Sequence, residues 1–302
     1  MSEQANVDCA AGFGVRLIGC ADDAALPIGM HDYAEALGCC TLVDKTMFIA
    51  DALDCDASVV VCCRPEGFGK SMNLSMLRAF LERPAVGRAG RSSFADAQIW
   101  DADGGRYRDE YACYPVISLD FSGAARRGAA VADVVRDALS GECVRLLALL
   151  EAPDLARDKV RHIERVARGA ASEDEVASVL GVLIELLEMA CDEQVVLLVD
   201  GYDAAWLGRA SAWNASSADS AELFDRVLFE AIAAAGDSLR LACLMGERPG
   251  PAEAALSLHG CPYCLTTPLS TWCDHWFGFS DAEVEALLNH ACLLYTSPSP
   301  RD

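Results

Sequence analysis

Four stretches of the chain are apolar without alternation: Val59-Val60-Val61-Cys62-Cys63, Pro115 to Phe121, Val195 to Asp200, and Leu239 to Met245. Runs this short, rich in β-branched and aliphatic residues, predict strands buried on both faces, as in a parallel sheet. Between them apolar residues recur every three or four positions. That period predicts helices over Met47 to Leu53, Met72 to Leu81, Ala129 to Leu150, Leu155 to Arg168, Glu173 to Cys191 and Ser220 to Ala235. Ser220 reads as an N-cap, and Ser280 with Glu283 forms a capping box that opens a last helix near Phe279. Alternating strands and helices predict an α/β fold: a mainly parallel sheet flanked by helices, plus a helical insertion.

Weaker patterns frame this core. Residues 1–40 are turn-rich and read as an irregular N-terminal segment, 41–290 as the main domain, and 84–113 as irregular surface structure rich in Gly, Arg, Asp and Ala. The last stretch, Leu293 to Asp302, carries two prolines and resembles translated sequencing-adapter read-through. Residues 291–302 are therefore set aside as a non-native or truncation tail, and the gene is expected to continue past them.

Composition narrows the function classes. Of 302 residues 53% are hydrophobic, enough for a sizeable core, and 46 acids against 24 bases give a net charge of −22. That charge repels nucleic acid and anionic membrane. The arginines between Arg78 and Arg108 read as a solvated face and loop rather than a DNA patch. There are fifteen cysteines, but no secretory leader pattern precedes them. Cys62, Cys63, Cys143, Cys191 and Cys243 lie inside apolar patterns and read as small buried hydrophobes in a reducing compartment. No apolar run approaches the ~18 residues of a membrane span. A soluble, cytoplasmic protein is expected.

The chemistry concentrates around one of only three lysines. Lys70 sits in Arg64-Pro65-Glu66-Gly67-Phe68-Gly69-Lys70-Ser71, directly after the first apolar run and before a helical pattern. Strand, glycine-containing turn ending Gly-Lys-Ser, and helix make a phosphate-binding loop, or Walker A motif. Backbone N–H groups of the loop are expected to cradle phosphate, Lys70 to reach the β- and γ-phosphates, and Ser71 to bind Mg²⁺. The full pattern has glycine where this chain has Arg64. Asp200, closing a second buried run, is the expected partner acid for Mg²⁺.

Together these segments resemble the bacterial AAA-ATPase-like family over residues from about 40 to 290. Leu42-Val43-Asp44-Lys45-Thr46 is similar to its Tyr-Val-Asp-Lys-Thr opening. RPEGFGKS followed by Met72 to Leu77 resembles its RPRRFGKS loop and LNLSML helix. Tyr114 to Phe121, Asp200-Gly201-Tyr202-Asp203 (DEYD in the family) and Gly278 to Leu288 carry the rest of the match. The resemblance implies ATP and Mg²⁺ as ligands and a nuclease-like PD-(D/E)XK domain downstream. It also makes the Arg64-Pro65 opening usual.

Three departures bear on activity. Glu66 and Gly67 stand where the family has two arginines, Gly201 stands where it has the water-orienting glutamate, and the strand from Leu239 ends Met245-Gly246-Glu247 instead of Thr-Gly-Val. A unit charge ~10 Å from phosphate at an effective dielectric of ~20 is worth roughly 1–2 kcal/mol. A Glu66 facing the nucleotide therefore lowers affinity by about one to two decades, and a solvent-facing one by much less. Losing the acid at 201 removes a group worth ~10²–10⁴ in rate. Asp203 points the same way if the chain stays extended, and Glu247 is a second acid at a strand end.

The expectation is an ATP-binding domain with weak or impaired hydrolysis, Asp203 being the remaining candidate to assist water. A non-hydrolysing nucleotide-binding module and a degenerate protein-interaction domain stay open. Cys261, Cys264, Cys273 and His275 have loose zinc spacing, but cysteine is frequent throughout and the resembled family has no metal there, so zinc is discounted. His162, His259 and His290 read as structural, Trp206, Trp213, Trp272 and Trp276 as packing or covering residues. Arg126, Arg127 and Arg248 are unranked candidates for an arginine finger.

Overall fold

A computed structural model describes residues 15–19, 25–84, 93–122, 131–207 and 222–296. In chain order the first elements are β1 (Leu17–Gly19), α1 (Tyr33–Cys39), β2 (Thr41–Val43), α2 (Met47–Leu53), β3 (Val59–Cys63), α3 (Lys70–Leu81), α4 (Gln98–Asp101) and β4 (Val116–Asp120). Then come α5 (Val131–Leu146), α6 (Arg157–Ala167), α7 (Glu173–Cys191), β5 (Val195–Asp200), α8 (Ala204–Leu207), α9 (Glu230–Ala235), β6 (Leu239–Gly246), α10 (Pro249–Leu258), β7 (Cys264–Thr266) and α11 (Asp281–Thr296).

Five strands form one sheet in the order β4-β5-β6-β3-β7, and every neighbouring pair is parallel. The unbroken apolar runs have the predicted cause: successive side chains point to opposite faces, and both faces are covered. Val59, Val61, Val195, Leu197, Val199 and Leu244 pack under α5, α6 and α7, the helical insertion between β4 and β5. Val60, Cys62, Val196, Leu198, Leu241 and Met245 pack against residues of α1, α2 and α3. Truncating one of these leucines to alanine costs about 2–5 kcal/mol through lost burial and the cavity left.

The free edge of β4 is covered by side chains. Glu142 accepts from the Ser118 N–H at 2.7 Å, and Arg145 donates to the Val116 carbonyl at 2.5 Å while pairing with both Glu142 and Glu82.

Several elements differ from the sequence reading. The first forty residues are not uniformly irregular: β1 pairs antiparallel with β2, and Asp32 caps α1 by accepting from the Glu35 N–H at 2.8 Å. Tyr33 then stacks on Phe94, with ring centroids 5.2 Å apart. The stretch 93–113 is likewise anchored in the core rather than lying on the surface, because Phe94, Ile99 and Tyr107 are buried among its polar residues. The helix expected from Ser220 is described from residue 222 and carries a π-helical turn at Asp225–Phe229. Ser220, Trp213, Arg126, Arg127 and the tail from 297 lie outside the described residues. The capping box is present, Ser280 N–H donating to Glu283 at 2.8 Å, and α11 continues through the expected break to Thr296.

Candidate functional site

β3 is buried along its whole length and delivers the chain to Arg64 beside the end of β6, where the Arg64 N–H donates to the Gly246 carbonyl at 3.0 Å. The loop then turns outward. Residues 65–69 are exposed, and Gly67 and Gly69 have φ of +83° and +79°, a left-handed backbone that glycine adopts without a Cβ penalty. Nothing lies within 4 Å of where a Cβ would sit at either glycine, so both border open space. Gly69 caps α3, and a loop of this kind running into a helix N-terminus presents backbone N–H groups to an anion. Lys70 donates to the Arg64 and Pro65 carbonyls at 2.7 and 2.8 Å, folding its ammonium over the loop. Phe68 is 42% exposed, and its carbonyl accepts from the Gly278 N–H at 3.2 Å.

Arg64, expected among the phosphate contacts, turns its guanidinium inward. It donates to the Cys63 carbonyl at 2.8 Å and the Thr266 hydroxyl at 2.9 Å, and lies 4.7 Å over the Phe277 ring. The residue is 3% exposed, and desolvation pulls its pKa down. What Arg64 offers the loop is its backbone. The position that lacks the motif's first glycine is thus filled by an arginine that ties β3 to β7 and to the Cys273–Phe277 segment.

Asp200 closes β5, one strand removed from β3 with β6 between them. Its carboxylate accepts from the Ser71 hydroxyl, so the first turn of α3 and the acid strand meet directly. Asp200 is buried, and desolvation raises its pKa; the Ser71 bond and Lys70 oppose that rise, and neighbouring Asp120 adds to it. A hydroxyl and a carboxylate are the hard oxygen donors that Mg²⁺ takes, so Ser71 and Asp200 fit the role expected of them.

Beyond Asp200 the chain does not stay extended. Gly201 takes φ of +69°, its N–H donates to the Met245 carbonyl at 2.8 Å, and a Cβ there would lie 2.7 Å from the Ser122 nitrogen. Asp203 is fully buried: one oxygen accepts from the Glu247 and Arg248 N–H groups at 2.9 and 2.8 Å, and the other has no partner among the described residues. Gly246 makes room for this packing, since a Cβ on it would sit 2.7 Å from Asp203 Oδ1 and 2.6 Å from the Tyr202 ring. Tyr202 adds a bond from its hydroxyl to the Arg248 carbonyl at 2.6 Å. Asp203 therefore clamps the end of β6 and presents no carboxylate to solvent, unlike the water-assisting acid that an extended chain predicts. Glu247 and Arg248 are exposed at the same strand end.

The discounted zinc set does not converge. Cys264 is joined to Cys55 in a disulfide, and the buried Cys273 thiol donates to Asp51 at 3.4 Å. A different group does converge, unforeseen because His259 lies 34 residues past Asp225: Asp225, Glu230 and His259 have ligand atoms within 4.8 Å of one another. His259 Nε2 lies 3.2 Å from both Asp225 oxygens. A cavity of about 610 Å³ was equally invisible in the sequence; Met47, Asp51, Tyr107, Trp276 and Glu283 line it, and no residue of the 64–71 loop does.

Among the described residues, no helix is long and apolar enough to cross a membrane. A search of curated proteins and one of solved structures each finds no match. The family described as predicted AAA-ATPase matches residues 27–249, and the chain belongs to that family.

Proposed function

We propose that this predicted AAA-ATPase domain binds ATP with Mg²⁺ on the loop from Arg64 to Ser71 and hydrolyses it weakly. Pro65, Gly67, Phe68 and Gly69 supply the backbone cradle, Arg64 its backbone alone, and Lys70 the charge that meets the β- and γ-phosphates. Ser71 and Asp200 would hold the metal, which would neutralise charge developing at the transferred group. The observation that carries this reading is the direct bond between the Ser71 hydroxyl and the Asp200 carboxylate, two groups 129 residues apart. An open glycine loop alone is a common turn, whereas a loop, a lysine and a buried acid assembled at one end of a parallel sheet form a nucleotide site.

Weak turnover follows from the other side of the site. Position 201 has no room for a side chain, and Asp203 is enclosed. The same two facts favour a second reading, a module that binds nucleotide and sets the conformation of a neighbouring domain without turnover. Calorimetric titration with ATP–Mg²⁺ and phosphate release on one preparation separate the two. Micromolar affinity, lost in Lys70→Ala, supports the site; a melting temperature unmoved by saturating ATP–Mg²⁺ counts against it.

A further inference from the structure

We propose that Asp120, on the strand beside Asp200, is the acid that orients the attacking water in this site. The proposal rests on the nucleotide-binding reading above. Hydrolysis at the loop needs an acceptor that holds a water in line with the transferred phosphoryl group. Asp200 is committed to Ser71, and Asp203 is enclosed and clamped to β6. Asp120 is differently placed. β4 and β5 pair in parallel register with Asp120 directly opposite Asp200, so their backbones are one strand spacing, about 4.8 Å, apart.

Asp120 is exposed where its neighbour is buried. Its Oδ1 accepts from the Ser122 N–H at 2.8 Å, which fixes the carboxylate, and Oδ2 makes no hydrogen bond among the described residues. The turn that fixes it is the same one that closes position 201: Ser122 N lies 2.7 Å from where a Cβ on Gly201 would be. The Phe121 N–H, bonded to the Asp200 carbonyl at 2.8 Å, locks the two turns together. One piece of backbone thus excludes a side chain at 201 and holds a carboxylate at 120. Glu247, the other exposed acid nearby, has no such fixing bond among the described residues.

In the step itself the water oxygen forms the new bond to the γ-phosphorus as the bond to the bridging oxygen breaks. The electron pair leaves with ADP, and the water's proton ends on the released phosphate. Asp120 accepts a hydrogen bond from the water and keeps no proton.

The test compares wild type, Asp120→Asn, Asp120→Glu and Glu247→Gln in the full chain. Asparagine still accepts from Ser122, so the turn survives while the carboxylate is lost. Phosphate release at saturating ATP is expected to fall at least about tenfold in Asp120→Asn, with ATP affinity within about threefold of wild type. Affinity for ADP with aluminium fluoride, which mimics the in-line state, should fall with it. Asp120→Glu, which moves the carboxylate without removing it, should retain part of the rate and covers the case in which asparagine unsettles the fold. Unchanged turnover in Asp120→Asn, loss of turnover in Glu247→Gln instead, or wild type that binds ATP without any turnover overturns the assignment and leaves nucleotide binding standing. Wild type that does not bind ATP at all overturns both.

Discussion

The two turns that face each other at the C-terminal ends of β3 and β5 are built on opposite terms. After β3 the chain is exposed, its left-handed glycines border open space, and its lysine bonds to carbonyls of the loop itself. After β5 the glycine is packed against Ser122 backbone, and the next acid is sealed under the end of β6. Both use glycine at positive φ. In the first, glycine leaves room for a ligand; in the second, it leaves room for the protein itself. The proposed nucleotide site thus has one open half and one closed half.

Substitutions that act on one half only can break this contrast. The largest effect is expected from Gly201→Glu. Leaving the left-handed region free of strain and the Ser122 contact clear is possible only without a Cβ, so stability should fall by about 2–5 kcal/mol in urea unfolding, with no gain in phosphate release. A stable Gly201→Glu protein with raised turnover would show that the turn is not closed. Next comes Lys70→Ala, which should weaken ATP by roughly 10- to 150-fold in calorimetry, the worth of a charged hydrogen bond, while the melting temperature of the unliganded protein barely moves.

Asp203→Ala should do the reverse. It removes the acceptor for the Glu247 and Arg248 N–H groups just past β6 and is expected to cost about 2–3 kcal/mol of stability with little change in ATP affinity. A large loss of affinity there would merge the two halves into one unit. The smallest effect belongs to Glu66→Arg, which reverses an exposed charge on the loop. ATP affinity should rise about three- to tenfold at low salt and fall back toward wild type at 0.5 M salt, because exposed charges are screened.

The open half was readable in the sequence and the closed half was not, for a physical reason. RPEGFGKS is contiguous, and the runs around Val59, Val116, Val195 and Leu239 are buried on both faces, so local pattern carries both the loop and four strands. The same holds for α7, whose apolar period spans its whole length. The fate of Asp203 depends instead on Gly246 and on the Glu247 and Arg248 N–H groups, more than forty residues away, and that of Gly201 on Ser122. Arg64 shows the limit most directly. Its place at the head of the loop suggested a phosphate contact, while Thr266 and Phe277, about two hundred residues on, decide where its guanidinium goes. The short elements β1 and β7 escaped notice because three residues cannot establish a period.

The Glu142–Arg145 pair along β4 has a consequence for assembly. An edge strand with free N–H and C=O groups is a template on which another chain can add a strand. Here the Ser118 N–H and the Val116 carbonyl are already bonded to those side chains, and the Arg83 N–H takes the Tyr114 carbonyl just before the strand begins. Lateral growth of the sheet is blocked on that side. Copies of this domain that associate must do so through side-chain surfaces, not by extending one another's sheets from β4.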